Sequence, residues 1–339
     1  MKEEPRVAVI GAGSWGTAFA SVPAGKGVST VLWARRPELA QTIAARHENP
    51  EYLPDVALPP SLRATADLEQ AVSSASVVVM AVPSHAFREI LRSVLTCLPA
   101  EAPVVSLSKG IEQGSLRRMS EVIAEEADLP AARVAVLSGP NLAKEIARCQ
   151  PSATVVGCAD EGTARELQAV FMAPYFRVYT NPDVVGVELG GAMKNVIAIA
   201  AGIAAGLGFG DNAKASLITR GLAEIARLGV RQGGNPLTFA GLAGMGDLIA
   251  TCYSPLSRNR TLGEQLGKGR PLDDIVGEMK MVAEGVKTSR PLCSIAVAAG
   301  VEVPISEHVV KVLYEDVSPQ EMVASLMLRE AKPELHGIQ

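Results

Sequence analysis

Residues 6–16 read RVAVIGAGSWG, a short apolar run followed by three closely spaced glycines and then by a helical pattern that begins near Ser14. In a strand–turn–helix unit each glycine has its own purpose. Gly11 permits the tight turn, Gly13 lets a pyrophosphate approach the backbone, and Gly16 allows the helix to pack closely on the strand. Unpaired N–H groups at the start of the helix attract the anion. The stretch predicts a dinucleotide site, and the competing interpretation is a tight turn without a ligand.

The second predicted strand, Thr30–Trp33, is followed by Arg35 and Arg36. A site selective for NAD would place Asp or Glu here to accept a hydrogen bond from the ribose 2′-hydroxyl. A pair of arginines can instead hold the 2′-phosphate of NADP and stack on adenine. We therefore expect NADP to be accepted and leave NAD open. The competing interpretation is a solvated pair of loop arginines.

The first half of the chain alternates short β-branched runs with longer helical patterns, which is typical of βαβ units and a parallel sheet. These runs lack polar alternation, as expected for strands buried on both faces of a doubly wound sheet. Pro23 falls where the first helix should still continue, so we expect that helix to stop or kink near Val22. The predicted strands are Arg6–Ile10, Thr30–Trp33, Val77–Val82, Val104–Leu107, Val134–Leu137, Thr154–Val156 and Arg177–Tyr179.

From about Val187 onward the apolar spacing fits helices. A chain of 339 residues exceeds the size of most single cores, so two domains are expected. We predict an α/β fold: a Rossmann-type, doubly wound, mostly parallel sheet over residues 1–187, which binds the dinucleotide, and an all-helical domain over residues 188–335, which binds the substrate. The turn signal nearest the boundary is Asn181–Asp183. Breaks between helices are predicted at Gly206–Gly210, Gly233–Pro236, Ser254–Pro255 and Gly267–Pro271.

Composition narrows the class of protein. Hydrophobic residues make up 48% and charged residues 20% of the chain, as in ordinary globular proteins, and the formal charge of -4 argues against nucleic-acid binding. The 5 cysteines form no C-x-x-C pair, so neither a disulfide framework nor a metal site is implied, and we expect reduced thiols in a cytoplasmic protein. The start, Met1–Arg6, lacks the features of a signal peptide. The apolar window Val196–Phe209 is shorter than the roughly 20 residues of a membrane span and predicts a buried core helix.

Lys194 is the leading candidate for proton transfer. It lies near the start of an otherwise apolar predicted helix, within the segment Gly190–Val196. Burial can lower the pKa of a lysine toward neutrality, so that it can donate and accept protons. The competing interpretation is a lysine whose stem lies along a domain boundary while its amine reaches solvent.

Two further segments of the second half carry polar groups suited to a substrate. Asp247 stands in a glycine-rich turn, and Ser257, Arg258 and Asn259 open another predicted helix. Ser257 can cap that helix, while the arginine and the amide add donors to its free backbone N–H groups. This combination suits a phosphate monoester. The competing interpretation is a capped and solvated helix start.

In the first half, Lys109 and the turn Ser138–Asn141 each follow a predicted strand. Ligands of open α/β sheets bind at the carboxyl ends of the strands. We therefore expect both segments to face the cofactor or the substrate.

Together these segments resemble the bacterial-type NAD(P)-dependent glycerol-3-phosphate dehydrogenase family. The resemblance runs in order from about residue 6 to residue 325, and the matching segments are GAGSWGTAFA, VPSH, SKGIE, SGPNLAKE, GVELGGAMKNVIAIAAGI, GLAGMGDLIATCYSPLSRNR and MVAEGVKT. It implies that hydride moves between C4 of the nicotinamide and C2 of dihydroxyacetone phosphate or sn-glycerol 3-phosphate. Lys194 would be the general acid and base, and Asp247 would help to place it.

The resemblance also implies binding residues. The family often has Ser or Thr at the position of Asn141, but Asn keeps a donor and an acceptor, so we expect that contact to survive. The implied substrate contacts are Lys109, Gly139, Asn141, Lys194, Asp247, Ser257, Arg258 and Asn259. The implied cofactor contacts are Gly11, Gly13, Ser14, Trp15, Gly16, Arg35, Arg36, Tyr52, Lys109, Ala143, Arg258, Val282 and Glu284.

Membership of this family would imply a cytoplasmic homodimer with its active site between the two domains, supplying sn-glycerol 3-phosphate for phospholipid synthesis. Two alternatives stay open. One is another two-domain hydroxyacid dehydrogenase, of the ketopantoate or hydroxyisobutyrate type, which would bind a carboxylate where a phosphate is proposed here. The other is a non-catalytic NADP(H) sensor.

Overall fold

A computed structural model describes residues 4–279 and 282–334, which form two compact units. The first unit comprises the residues up to Ser108 together with Met119–Val184. The second comprises Lys109–Arg118 and the residues from Val185 onward. The motif MVAEGVKT begins at Met281, and the predicted second domain ends at Leu335; both residues lie outside the described ranges.

The first unit is built on an eight-stranded sheet with the order β10-β9-β8-β7-β6-β1-β2-β5. Neighbouring strands run parallel except β8 and β9, so the predicted mostly parallel sheet is confirmed. The seven predicted strands are present with ends that differ by about two residues or less. The strands are β1 (Arg6–Ile10), β2 (Ser29–Trp33), β3 (Glu48–Asn49), β4 (Leu53–Ala57), β5 (Leu62–Thr65), β6 (Val77–Met80), β7 (Val104–Ser106), β8 (Val134–Ser138), β9 (Ser152–Cys158) and β10 (Phe176–Asn181).

Strands β3, β4 and β5 were not predicted. Strand β5 lies at the edge of the sheet with a single buried residue, Leu62, so the continuous apolar run that marks the central strands is absent from it. Strands β3 and β4 form a separate antiparallel pair. The helices of this unit are α1 (Ser14–Gly25), α2 (Pro37–Arg46), α3 (Leu68–Val72), α4 (Phe87–Leu95), α5 (Met119–Ala127), α6 (Ala143–Ala147) and α7 (Glu161–Phe171).

The expectation that α1 stops near Val22 is wrong, because the helix continues through Pro23 to Gly25. Pro23 stands in the last turn, so the hydrogen bond that it cannot donate is missing only two residues before the helix ends at Gly25. The left-handed Gly27 (φ +90°) then reverses the chain, and the Val28 N–H donates to the Pro23 carbonyl at 3.0 Å. This is the standard glycine-terminated helix end.

The second unit is helical, and the four predicted breaks fall between its helices. Helix α8 is long and apolar enough to cross a membrane by length and composition, but 83% of its most apolar window is buried inside the structure. The predicted core helix is therefore confirmed, although it starts earlier than the apolar window suggests. The helices are α8 (Val184–Gly206), α9 (Asp211–Arg231), α10 (Pro236–Ala240), α11 (Asp247–Tyr253), α12 (Arg258–Gly267), α13 (Leu272–Glu278), α14 (Glu284–Ala299), α15 (Pro304–Tyr314) and α16 (Pro319–Met327).

The segment Lys109–Arg118 belongs to the second unit, whereas the sequence-based division placed it with residues 1–187. Its contacts explain the difference. Ile111 is 1% exposed within the helical core, and the Arg118 guanidinium pairs with the Glu188 carboxylate at 2.8 Å. Local sequence pattern cannot reveal such long-range packing, and its consequence is that Lys109 joins the helical unit.

Helices α8 and α12 touch backbone to backbone through glycines. A Cβ placed on Gly202 would lie 2.1 Å from the carbonyl oxygen of Arg260, and one on Gly263 would lie 2.0 Å from that of Ile199. A Cβ on Gly206 or Gly267, one turn further along each helix, would likewise lie too close to a backbone carbonyl oxygen of the other helix. This close packing fixes the start of α12 against the helix that carries the candidate lysine.

We expect Gly263→Ala to lower the free energy of unfolding by about 1–3 kcal/mol or more, because the added methyl overpacks a backbone contact. Thermal melting and urea denaturation would measure the loss. Gly277→Ala is the matched control, since a Cβ there meets nothing within 4 Å, and it should be neutral or slightly stabilising. Equal melting temperatures for the two variants would contradict the packing argument.

Candidate active site

The glycine turn between β1 and α1 leaves bare backbone at the start of a helix. Gly11 has φ +117°, and a Cβ there would lie 2.5 Å from the Ala81 carbonyl oxygen. A Cβ on Gly16 would lie 1.9 Å from the Gly11 carbonyl oxygen. Around Gly13, which precedes α1, a Cβ would meet nothing within 4 Å. Packing therefore requires the first and third glycines, whereas the second faces open space at a helix N-terminus, which fits a pyrophosphate.

Asn49, which was not predicted, fastens this turn in place. The side chain is 0% exposed, and its amide nitrogen donates to the Ala12 carbonyl oxygen at 2.9 Å and to Thr17 Oγ1 at 2.8 Å. Its amide oxygen accepts from the Tyr52 N–H at 3.1 Å. The Ser14 hydroxyl donates to the Tyr52 carbonyl oxygen. Residues 49–52 are thus tied to the glycine turn at both ends, by contacts that no local pattern announces.

The arginines after β2 are both exposed. The Arg36 guanidinium pairs with the Glu51 carboxylate and lies 5.9 Å from the centre of the Tyr52 ring. Hydrogen bonding and charge from Glu51 raise the pKa of Arg36 above its ordinary value. Arg36 thus has an ion-pair partner at the protein surface, and the role of the two arginines toward a 2′-phosphate stays a prediction. Trp15 is half-buried at the start of α1.

The turn after β8 carries Gly139 at φ +147°, where a Cβ would lie 3.0 Å from the Thr154 Cα. The Asn141 amide nitrogen donates to Thr154 Oγ1 at 2.9 Å. Within the described residues, the buried Asn141 Oδ1 and Ser138 Oγ have no hydrogen-bond partner. Asn141 therefore offers an acceptor, which suits a hydroxyl group better than a phosphate. Ala143 follows as the first residue of α6.

In the second unit, Asp247 lies between two lysines. Its Oδ2 is 2.6 Å from Lys109 Nζ, and its Oδ1 is 2.9 Å from Lys194 Nζ. Lys194 Nζ also donates to Thr251 Oγ1 at 2.6 Å, and that hydroxyl donates to Asp247 Oδ1 at 3.2 Å. The exposed fractions of Asp247 and Lys194 are 2% and 6%. Thr251 was not predicted, although its spacing of four residues from Asp247 places both on one face of α11.

With two ammonium groups and one carboxylate, this buried cluster has one excess positive charge. Burial acts to raise the pKa of the Asp247 carboxyl, but the charges and hydrogen bonds of Lys109 and Lys194 hold that pKa below its ordinary value. Burial lowers the pKa of the Lys109 ammonium to about 8, assisted by repulsion from Lys194 and opposed by attraction to Asp247. The cluster therefore favours an anionic ligand.

A π-helical turn, Leu242–Gly246, delivers Asp247 to the start of α11. A Cβ on Gly190 in α8 would lie 2.6 Å from the Ala243 carbonyl oxygen in this turn. The absence of a side chain on Gly190 therefore lets the acid approach α8. The sequence predicted this acid in a glycine-rich turn, whereas the structure places Asp247 as the first residue of α11, directly after the π-helical segment.

A relay of amides ties the cluster to neighbouring helices. The Asn195 amide nitrogen donates to the Lys109 carbonyl oxygen at 3.1 Å, and the Asn259 amide nitrogen donates to Asn195 Oδ1 at 2.9 Å. Asn259 Oδ1 accepts from the Gly285 N–H at 2.9 Å. Asn259 was predicted as a substrate contact; its amide oxygen and one of its two amide N–H groups bond within the protein, and the contact with substrate stays a prediction. Asn195 was not predicted.

The remaining predicted residues of the second unit cluster at two helix starts. Ser257 caps α12, as predicted, by accepting from the Arg260 N–H at 3.3 Å. Burial lowers the pKa of Arg258, and the charge of Glu284, the first residue of α14, acts in the opposite direction. Val282 is half-buried just before α14.

We expect the Lys109 ammonium to titrate near pH 8, which NMR of ¹³Cε-labelled lysines would detect as a resonance absent from Lys109→Gln. An unfolded lysine keeps its proton to about pH 10.4, so the unfolded state binds more protons than the folded state between about pH 8 and that value. This group therefore makes the free energy of unfolding rise with pH in that window. A Lys109 resonance that does not move between pH 7 and 9 would contradict the assignment.

A glycine turn at a helix start in an α/β unit, joined to a helical unit with a buried lysine–carboxylate cluster, is typical of a dinucleotide-dependent dehydrogenase. Residues 6–164 match the family model described as NAD-dependent glycerol-3-phosphate dehydrogenase N-terminus, and residues 183–324 match the corresponding C-terminus model. The chain belongs to the NAD-dependent glycerol-3-phosphate dehydrogenase family. The predicted family, its oxidoreductase class and its nicotinamide cofactor class are thereby confirmed.

Individual relatives agree with this assignment. The chain is 56% identical to the glycerol-3-phosphate dehydrogenase [NAD(P)+] of Thermobifida fusca (strain YX), covering 98% of this chain and 99% of the relative. It is 56% identical to the Parafrankia sp. (strain EAN1pec) protein of the same name, covering 97% and 98%. The crystal structure of glycerol-3-phosphate dehydrogenase from Coxiella burnetii superposes with a TM-score of 0.91 at 37% identity, covering 96% and 99%.

Proposed function

We propose that this protein interconverts dihydroxyacetone phosphate and sn-glycerol 3-phosphate with NAD(H) or NADP(H), and that Lys194 is its general acid and base. The observation that carries the proposal is the buried cluster of Lys194, Asp247 and Lys109 in the helical unit. The names of relatives at 56% identity support the substrate. Family membership also supports a cytoplasmic homodimer that supplies sn-glycerol 3-phosphate for phospholipid synthesis.

The first unit would hold the cofactor. Gly13 and the start of α1 would receive the pyrophosphate, and Arg35 and Arg36 the adenosine end. When bound, the nicotinamide supplies or accepts the hydride at C2 of the substrate. The other proposed cofactor contacts are Gly11, Ser14, Trp15, Gly16, Tyr52, Lys109, Ala143, Arg258, Val282 and Glu284.

The Lys194 ammonium is oriented for transfer of a single proton. An ammonium carries three N–H bonds, and Asp247 and Thr251 accept two of them. The third is the proton that Lys194 gives to the ketone oxygen, and in the reverse direction the neutral amine takes the proton of the alcohol. Because Asp247 stays ionised, it stabilises the charged amine that forms in that direction.

The positive groups around this proton donor suit a phosphorylated substrate. Lys109 contributes the second ammonium of the cluster, and Arg258 with the capped start of α12 contributes a guanidinium and backbone N–H groups. Gly139 and Asn141 remain proposed substrate contacts, in which Asn141 Oδ1 would accept from a substrate hydroxyl. Asn259 also remains a proposed substrate contact, through the amide N–H that Asn195 does not accept.

Lys194→Met should retain NADPH binding and lose about 10²–10⁴-fold or more in kcat, because it removes the proton donor. Fluorescence titration would measure NADPH binding, and NADPH oxidation with dihydroxyacetone phosphate would measure turnover. Lys214→Met, at a surface pair with Asp211 on α9, is the control and should behave as the wild type. Turnover close to normal in Lys194→Met would remove this lysine from the acid–base role.

Dihydroxyacetone phosphate should be reduced with a kcat/KM on the order of 10³-fold or more above that of unphosphorylated dihydroxyacetone, because the cationic groups would be left without their anion. Ketopantoate, which carries a carboxylate, should be a similarly poor substrate. Equal rates for the first two ketones would refute phosphate recognition, and a preference for ketopantoate would favour a hydroxyacid dehydrogenase. Absence of turnover with every ketone, despite cofactor binding, would indicate a sensor.

A further inference from the structure

We infer that Glu51 is a residue that determines cofactor specificity, favouring NADH over NADPH. Its carboxylate pairs with the Arg36 guanidinium and can accept a hydrogen bond from the 2′-hydroxyl of NADH. Because the carboxylate is negatively charged, it repels the 2′-phosphate of NADPH. The inference rests on the proposed function, because it requires the adenosine end of the cofactor to lie beside the arginines after β2.

The position of Glu51 in the fold supports this role. Arg36 precedes α2, just beyond the carboxyl end of β2, where dinucleotide-binding sheets recognise the adenosine ribose. In the sequence, residues 34–36 at this place include two arginines and no acid, and the next acid is Glu38 in the first turn of α2. The structure supplies a carboxylate from the turn between β3 and β4, since Glu51 pairs with Arg36. A site that sequence alone assigns to a 2′-phosphate therefore also contains the group that selects a 2′-hydroxyl.

The backbone next to Glu51 is anchored to the glycine turn. Tyr52, next to it, is fixed by Asn49 through its backbone N–H and by Ser14 through its carbonyl oxygen. A hydrogen bond with Glu51 contributes, after burial, to raising the pKa of the Tyr52 hydroxyl. Glu51 thus joins Arg36 to the same segment that fastens the glycine turn, which places its backbone at a fixed distance from the proposed pyrophosphate contact.

The Arg36 guanidinium cannot pair fully with the Glu51 carboxylate and with a 2′-phosphate at the same time. A phosphate monoester carries a charge of about −1.5 to −2 near neutral pH, so Glu51 repels it and competes for the guanidinium. A ribose 2′-hydroxyl is neutral and can donate to the carboxylate while the ion pair stays intact. The exposed Arg35 remains as a partner for the phosphate, so NADPH is admitted at a penalty.

The test is the binding of cofactor to the full-length protein, with dissociation constants for NADH and NADPH and for the fragments 5′-AMP and 2′,5′-ADP. Glu51→Gln should tighten NADPH and 2′,5′-ADP and weaken NADH, so that the ratio of the NADPH constant to the NADH constant falls about tenfold. Glu48→Gln removes the same charge from an exposed neighbour and should leave the ratio unchanged. Glu51→Asp keeps the charge and should keep the wild-type preference.

A second experiment tests whether the effect of Glu51 depends on Arg36. In an Arg36→Gln background, Glu51→Gln should tighten 2′,5′-ADP much less, because no guanidinium is released. Binding of both cofactors with an unchanged ratio in Glu51→Gln, in protein whose melting temperature is normal, would overturn the inference and leave the proposed function standing. Wild-type protein that binds neither cofactor would overturn the proposed function and this inference with it.

Discussion

Asp247 pairs with the ammonium groups of Lys109 and Lys194, which would otherwise repel each other in a buried site. Desolvating three charges is costly, and their mutual attraction compensates only when the geometry is good and the remaining donors are satisfied. The structure meets that condition with Thr251, which accepts from Lys194 and donates to Asp247. Removing the Asp247 carboxylate would leave two buried cations without an anion. The position of this carboxylate is therefore the constraint on which the rest of the helical unit depends.

Several features of the helical unit can be understood as support for that carboxylate. The π-helical turn presents Asp247 to α8, and Gly190 leaves room for the approach. Backbone contact between α8 and α12 and the relay from Asn195 to Asn259 then hold Lys194 and the Lys109 backbone in register. Rigid elements of this kind keep reactive groups within the narrow tolerances that proton transfer needs.

In the first unit, the backbone of the glycine turn has to be held in the conformation that the proposed pyrophosphate contact needs. Glycines make the turn possible, but glycine also makes a chain flexible, so the turn needs outside support. Asn49 provides it from a different part of the chain, and the same segment brings Glu51 to Arg36. The proposed pyrophosphate contact and the proposed ribose contact therefore depend on the same supporting residues in this unit.

By itself, the sequence determined the features that depend on near neighbours. Apolar runs and periodicity predicted the central strands and the breaks between helices, and the spacing of Gly11, Gly13 and Gly16 predicted the phosphate turn. The resemblance of its motifs to known dehydrogenases identified the family and pointed to Lys194. These signals are readable because hydrophobic period and turn chemistry act over a few residues.

Tertiary structure decided which distant groups meet. Lys109 and Asp247 are 138 positions apart, and only the folded chain places Lys109 in the helical unit and lowers its pKa. The same holds for Asn49 beneath the glycine turn and for Glu51 on Arg36. Burial, charge pairing and long-range hydrogen bonds depend on three-dimensional neighbours, which no window of sequence contains.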